Sequence, residues 1–134
     1  RGYALAQSLA GHPPALAAFL VGLPWGLLHV ALHLPGMPNE GLPWLPTVLQ
    51  LVSLSIMLTW LFVRGGQSVV LAIIFHAAQS FFGIVNGGLS LLSSHWLMTV
   101  VWTAGALLLL LDRAMWRQPA FIPGEREAQP QTGS

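Results

Sequence analysis

The stretch PALAAFLVGLPWGLLHVALHL, residues 14–34, decides the fold. It contains no Asp, Glu, Lys or Arg, and its only ionisable groups are His29 and His33. A helix needs about 17–25 such residues to cross a ~30 Å hydrocarbon core. Moving outward, three further apolar stretches cover residues 46–63, 69–85 and 95–111. Inside lipid every backbone N–H and C=O must find a partner within the protein, so these stretches are expected to be helices and not open strands. The third and fourth are shorter, which leaves a partly re-entrant path as the alternative for them. The expected fold class is all-α: a polytopic transmembrane helix bundle of about four membrane-spanning helices, with residues 1–11 as the end of an earlier one.

Composition points the same way. Of the 134 residues, 54% are hydrophobic and 7% charged, whereas a soluble domain carries about 25% charged residues to solvate its surface. Too few charges remain for a water-facing shell, so the lipid bilayer is the expected solvent and partner. The absence of Cys excludes a disulfide framework and thiolate metal sites. A net charge of +1 provides no basic patch for nucleic acid.

The breaks between stretches are built from residues that end helices: Leu34–Pro43 with three Pro and two Gly, Arg64-Gly-Gly-Gln-Ser68, and Asn86-Gly-Gly88. Residues 118–134 are polar, without an apolar face, and are expected to be disordered. Residues 1–117 then form the domain. The chain opens on Arg1 in helix-like sequence, so it is expected to be a fragment lacking N-terminal residues. With the start of the first stretch called side A, alternation places Arg1, Arg64, Arg113, Arg117 and Arg126 on side A, and no Arg on side B. The positive-inside rule makes side A cytoplasmic.

Two histidines stand inside the stretches, His29 in the first and His76 in the third. An ionisable group in lipid costs several kcal/mol (~2.5–3.5 on insertion scales for charged groups) unless it is paired or neutral. One such His is as readily a core residue bonded to a carbonyl as a functional one. Two on separate helices favour a shared polar site. Gly22, Gly26, His29 and His33 follow steps of four, three and four and line one helix face. Gly22 and Gly26 make a small-xxx-small pair that lets another helix approach closely. Pro24 removes the donor for the Leu20 carbonyl, so a kink beside His29 is expected. His76 and Ser80 share a face, with Gln79 at its edge. Ser80 either helps to hold water or an oxyanion beside His76, or bonds back to the His76 carbonyl. By helical rise His29 lies roughly 7 Å and His76 roughly 14 Å from the side-B ends of their helices. His33 is expected at the interface. His12 and His95 are read as turn residues flanking helices, Trp44 and Trp96 as interfacial, and Trp25 and Trp60 as packing.

The order of these features resembles the CPBP family of intramembrane proteases, the CAAX-protease/bacteriocin-processing (Abi-like) proteins. Its members carry Glu-Glu-x-x-x-Arg, then Phe-x-x-x-His, then His-x-x-x-Asn on successive helices. Arg1-Gly2-Tyr3 looks like the end of the first motif. Trp25-Gly-Leu-Leu-His29 looks like the second, with Trp for Phe, and His76-Ala-Ala-Gln-Ser80 like the third, with Ser for Asn. Arg64-Gly-Gly-Gln-Ser68 resembles the Arg-x-Gly-Ser turn that precedes the third motif. The resemblance covers residues 1 to about 85 and places the motif's glutamates ahead of Arg1.

It implies an intramembrane endopeptidase in a bacterial plasma membrane, hydrolysing a peptide bond of a membrane-associated protein or peptide. A glutamate would activate water, with His29, His76 and Ser80 as the site residues. His29 and His76 could hold zinc together with a glutamate, and a metal-free mechanism uses the same groups. Family members that process prenylated proteins are reached from the cytosol, whereas the Arg distribution places this site nearer side B. The alternatives are a non-catalytic immunity or scaffold protein of the same fold and, on the two histidines alone, a haem carrier.

Overall fold

The computed structural model describes residues 8–9, 11–66, 68, 70–71, 73–78 and 90–117. Among these there is no strand. Helix α1 spans Pro14–Leu28 and runs on into a 3-10 turn, His29–His33. Helix α2 spans Trp44–Arg64, and α3 spans Leu91–Leu109, followed by a short 3-10 turn at Arg113–Met115. Residues 70–71 and 73–78 are also helical. Three helices, Pro14–His33, Trp44–Arg64 and Leu91–Leu109, are long and apolar enough to cross a membrane. The protein is an all-helical integral membrane protein.

The first two spans match their expected limits within two residues. Pro14 and Pro46 sit in the opening turns of α1 and α2, where a missing N–H costs nothing because no intrahelical partner exists there. The last span differs: α3 starts four residues before the expected His95. Ser90 caps it by accepting a hydrogen bond from the Ser93 N–H at 3.1 Å. Ser93, Ser94 and His95 therefore belong to the helix and not to a loop. Helix α1 continues through the exposed Pro24, and its change of geometry falls later, at His29.

Helix α2 is the centre of the bundle and packs against both α1 and α3. Against α1 the contact is made by small residues. Ala15, Ala18, Gly22 and Gly26 are buried, and the Ser55 hydroxyl donates to the Ala18 carbonyl at 2.9 Å. A Cβ added at Gly22 would stand 2.6 Å from the Ser55 Cβ, and one at Gly26 would stand 3.2 Å from a Val48 methyl. The expected close approach at this glycine pair is present. At the side-A end, Ala15, Ala18, Ile56, Ala106 and Met115 form a buried cluster, covered by Val52, Met57, Trp60 and Leu110.

The direction of the helices follows from their contacts. Gly26 meets Val48 and Gly22 meets Ser55, so α1 and α2 are antiparallel. Thr47 meets His95 at one end of α2, and Arg64 meets Asp112 at the other, so α2 and α3 are parallel. Two parallel neighbours require the chain between them to return the length of α2, about 30 Å at 1.5 Å per residue. The apolar stretch 69–85 lies in that connection, and of it residues 70–71 and 73–78 are described and helical. Its residues beyond Ala78, the N-terminal residues 1–7 and the tail from residue 118 lie outside the described residues.

Candidate active site

His29 occupies the place where α1 tightens into the 3-10 turn. In a continuing α-helix its backbone N–H would bond to the Trp25 carbonyl, four residues back. Here that N–H points instead to the Gly26 and Leu27 carbonyls. The carbonyl of Trp25 is thereby released, and the His29 ring takes it, with Nδ1 at 2.8 Å. A carbonyl can only accept, so Nδ1 carries the proton and donates, and the lone pair of the neutral ring sits on Nε2. The Trp25 indole stands edge-on to the imidazole, with ring centroids 5.1 Å apart and planes at 77°. Tautomer and ring orientation are thus both set within one helical turn. A water-orienting base or a metal ligand needs this arrangement, with one ring nitrogen fixed on a backbone carbonyl and the other presenting its lone pair.

His76 lies in the helical segment between α2 and α3, with its side chain on an exposed face. The segment is held against α3 by its neighbour Phe75, whose ring stacks at a tilt on Trp102 with centroids 6.0 Å apart. Ser80 and Gln79, like Arg1, Gly2 and Tyr3, lie outside the described residues. Among the described residues no three His, Cys, Asp or Glu side chains are grouped to hold a metal ion. The described part of the chain supplies imidazoles, and a zinc site would need its carboxylate from elsewhere.

A second polar cluster was not anticipated from the sequence. It lies at the side-B end, where α1, the 34–43 loop, α2 and α3 meet. The His33 ring contacts the Leu42 carbonyl through Nδ1 at 2.9 Å and the Thr47 hydroxyl through Nε2 at 3.0 Å. Thr47 also contacts His95 Nε2 at 3.3 Å. Gln50 reaches the His95 carbonyl at 2.9 Å and the Thr99 hydroxyl at 2.8 Å. Further along the same seam, Ser53 donates to Thr103 at 3.4 Å. His33 stands at the helix end, partly exposed, with its ring engaged on two sides. His95 is a correction: it is a helical residue joining three elements and not a turn residue. The signal for it was present, because Thr47, Gln50 and Ser53 recur every three residues, and His95, Thr99 and Thr103 every four.

At side A, Arg64 and Asp112 form a two-pronged ion pair, Nε to Oδ2 at 2.8 Å and Nη2 to Oδ1 at 2.7 Å. The Asp112 carboxylate also accepts from the Ala114 N–H at 2.9 Å and the Trp60 indole at 2.9 Å. The Ala114 amide, then Arg64 and Trp60, lower its pKa to about 2. This pins the start of the 64–68 turn, from which the chain proceeds to the His76 segment. Trp60 is therefore a hydrogen-bond donor as well as a packing residue.

No curated protein and no solved structure matches the chain. Residues 1–82 match the family model described as type II CAAX prenyl endopeptidase Rce1-like, a span that contains both motif histidines and the arginine-glycine turn between them. The chain belongs to that Rce1-like type II CAAX prenyl endopeptidase family.

Proposed function

We propose that this protein is an intramembrane endopeptidase that hydrolyses a peptide bond of a membrane-associated, CAAX-like substrate in a bacterial plasma membrane. The observation that carries this reading is the Nδ1–H bond of His29 to the Trp25 carbonyl at 2.8 Å, which leaves Nε2 to act on water. A glutamate of the Glu-Glu-x-x-x-Arg motif, placed ahead of Arg1, takes the proton from water. The resulting hydroxide adds to the scissile carbonyl. His29 Nε2 orients that water, His76 stabilises the oxyanion, and as the tetrahedral adduct collapses with cleavage of the C–N bond the glutamate returns its proton to the leaving amine. Ser80, which stands where the family carries Asn, is the third site residue of this reading. Were zinc to be used, His29 and His76 would hold it together with the glutamate, and it would supply Lewis acidity to the attacking water.

The test is cleavage of a membrane-anchored peptide by protein in which the motif glutamates precede Arg1. His29→Ala and His76→Ala are each expected to lower kcat/KM by at least about a hundredfold, the usual weight of a positioned acid–base group. Unchanged activity of the double variant removes the proposed site. Activity that withstands chelators selects the metal-free route. Absence of cleavage in the intact motif, with Ser80→Asn giving no gain, favours the non-catalytic scaffold reading, to which the Ser-for-Asn exchange points.

A further inference from the structure

Positive charge gathers at the side-A end of the bundle around a single acid. Arg64 closes α2, while Arg113 and Arg117 follow α3, and all three are exposed. Among the described residues the acids are Glu40, in the side-B loop, and Asp112. The Asp112 carboxylate is full. Its Oδ1 accepts from Arg64 Nη2 and the Ala114 N–H, and its Oδ2 from Arg64 Nε and the Trp60 indole. Two carboxylate oxygens offer about four lone-pair positions, so none remains for the adjacent Arg113 or for Arg117. Arg64 neutralises Asp112, and the charges of Arg113 and Arg117 are left over.

These two charges stand on a fixed turn. Met115, between them, is fully buried in the cluster of Ala15, Ala18, Ile56 and Ala106. Asp112 caps the turn on the Ala114 N–H, and the Trp116 backbone N–H returns to the Arg113 carbonyl at 3.1 Å. The Trp116 indole N–H donates to the Leu110 carbonyl at 2.7 Å, among the last acceptors of α3. Its polar edge is thereby satisfied, while its ring and the Leu111 side chain are more than half exposed. Exposed aromatic and aliphatic groups beside basic ones, at the end of a spanning helix, belong at the boundary of lipid and water. A turn already held in place loses little further freedom when a ligand binds.

We propose that this turn binds an anionic phospholipid of the side-A leaflet, with Arg113 and Arg117 on the headgroup phosphate and Trp116 and Leu111 against the first acyl carbons. A guanidinium suits a phosphate because its N–H fork matches two phosphate oxygens. Side A is the face that the positive-inside rule makes cytoplasmic, and the cytoplasmic leaflet carries the anionic lipid. Lipid fits better than a soluble anion, because a free phosphate would leave Leu111 and Trp116 uncovered beside it. The site is independent of whether the protein cleaves peptides.

Native mass spectrometry of the full-length protein in detergent, titrated with phosphatidylglycerol or with phosphatidylcholine of the same acyl chains, tests it. Each basic residue near an anionic surface is worth roughly fivefold in binding. Wild type is therefore expected to hold its first phosphatidylglycerol roughly thirtyfold more tightly than phosphatidylcholine, a comparison that needs no variant to fold. Arg113→Gln should cost roughly fivefold of that preference, and the double variant Arg113→Gln/Arg117→Gln should lose it. Arg126→Gln removes the same unit charge from outside the turn and should keep it. Wild type that does not distinguish the two lipids, a preference kept by the double variant, or equal losses in Arg113→Gln and Arg126→Gln would overturn the proposal. Displacement of the bound lipid by millimolar inorganic phosphate would overturn it too, by making the turn a site for a free anion.

Discussion

The two faces of α2 are joined to their neighbours by different chemistry. Towards α1 the seam is made of absences: Gly22 and Gly26 have no side chain, and Ala15 and Ala18 have a methyl group. The backbones come so close that one hydroxyl, that of Ser55, bridges the gap to a carbonyl. Towards α3 the seam is a ladder of polar side chains, with Thr47, Gln50 and Ser53 answered by His95, Thr99 and Thr103. In lipid there is no hydrophobic gain from pairing helices, because the tails are as apolar as the side chains they replace. Association rests on close van der Waals packing and interhelical hydrogen bonds. This protein uses one device on each side of a single helix. The packed seam supports the helix that carries His29, and the polar seam supports the helix against which the His76 segment leans.

The contrast breaks most sharply at Gly22. A Cβ there would stand 2.6 Å from Ser55 Cβ and 3.3 Å from the Val52 Cα, neither of which can swing aside. Gly22→Leu should therefore separate α1 from α2 and prevent recovery of folded protein. Gly22→Ala should lower stability by about 1–3 kcal/mol of overpacking, partly offset by ~1 kcal/mol of helix propensity. At Gly26 the nearest atoms are 3.2–3.4 Å away and include a Val48 methyl that can yield. Gly26→Ala should be close to neutral for that reason. The yield of folded protein checks Gly22→Leu, and thermal unfolding of the two alanine variants in one detergent checks the order of the other two. Equal losses at the two glycines would show that the seam is not set by this close approach.

The same contrast explains what could be read from the residues alone. A small-xxx-small pair is local: Gly22 and Gly26 announce a close helix approach whatever the partner is. The expected spans at 14–34 and 46–63 were legible because length and apolarity alone decide them. A polar ladder needs two helices in register, and one of its members, His95, is expected from the sequence in a turn. A helix start is polar by nature, and the Ser90 cap with Ser93 was the sign of one. The His33 contacts depend on a loop that folds back through two positive-φ glycines, Gly36 and Gly41, to present the Leu42 carbonyl. Nothing in residues 34–43 encodes that distance. For His29, Pro24 suggested an orphaned carbonyl at Leu20, whereas the carbonyl that fixes the ring is that of Trp25, released by the switch to 3-10 geometry.

The polar seam should break more gently. Gln50→Leu keeps nearly the same volume but removes the donor to the His95 carbonyl and to the Thr99 hydroxyl. The His95 carbonyl keeps its bond from Thr99 at 2.8 Å, so no buried acceptor is orphaned. Interhelical hydrogen bonds in membranes average about 0.6 kcal/mol each, so a loss of about 1 kcal/mol is expected, well below that of Gly22→Leu. A double-mutant cycle of Gln50→Leu with Thr99→Val separates the pair's own coupling from the rest of the ladder. A coupling of zero would mean that α3 is held by its apolar contacts and that the ladder only orients it.

The smallest effect belongs to the outer end of the polar seam, where Asp112 meets Arg64. The Ala114 amide, Arg64 and Trp60 hold the carboxyl at about 2, below its ordinary 3.8. A carboxyl whose folded value is depressed stabilises the folded state above its unfolded value, and that contribution is lost as the pH falls through the folded one. The window is therefore between about pH 4 and pH 2. Arg64 is more than half exposed, so salt screens the pair and little of the shift becomes stability. Asp112→Asn keeps an acceptor for the Ala114 N–H, gives up the one for the Trp60 indole, and removes the charge. Wild type should lose a small increment of stability across that window, and Asp112→Asn should lose less of it. The difference should shrink at high salt. Acid unfolding followed by tryptophan fluorescence measures it, since Trp60 reports on the same carboxylate. An equal acid response in both proteins would assign the fastening of this end to the buried Met115 cluster, and the ion pair would then only set the direction in which the chain leaves α2.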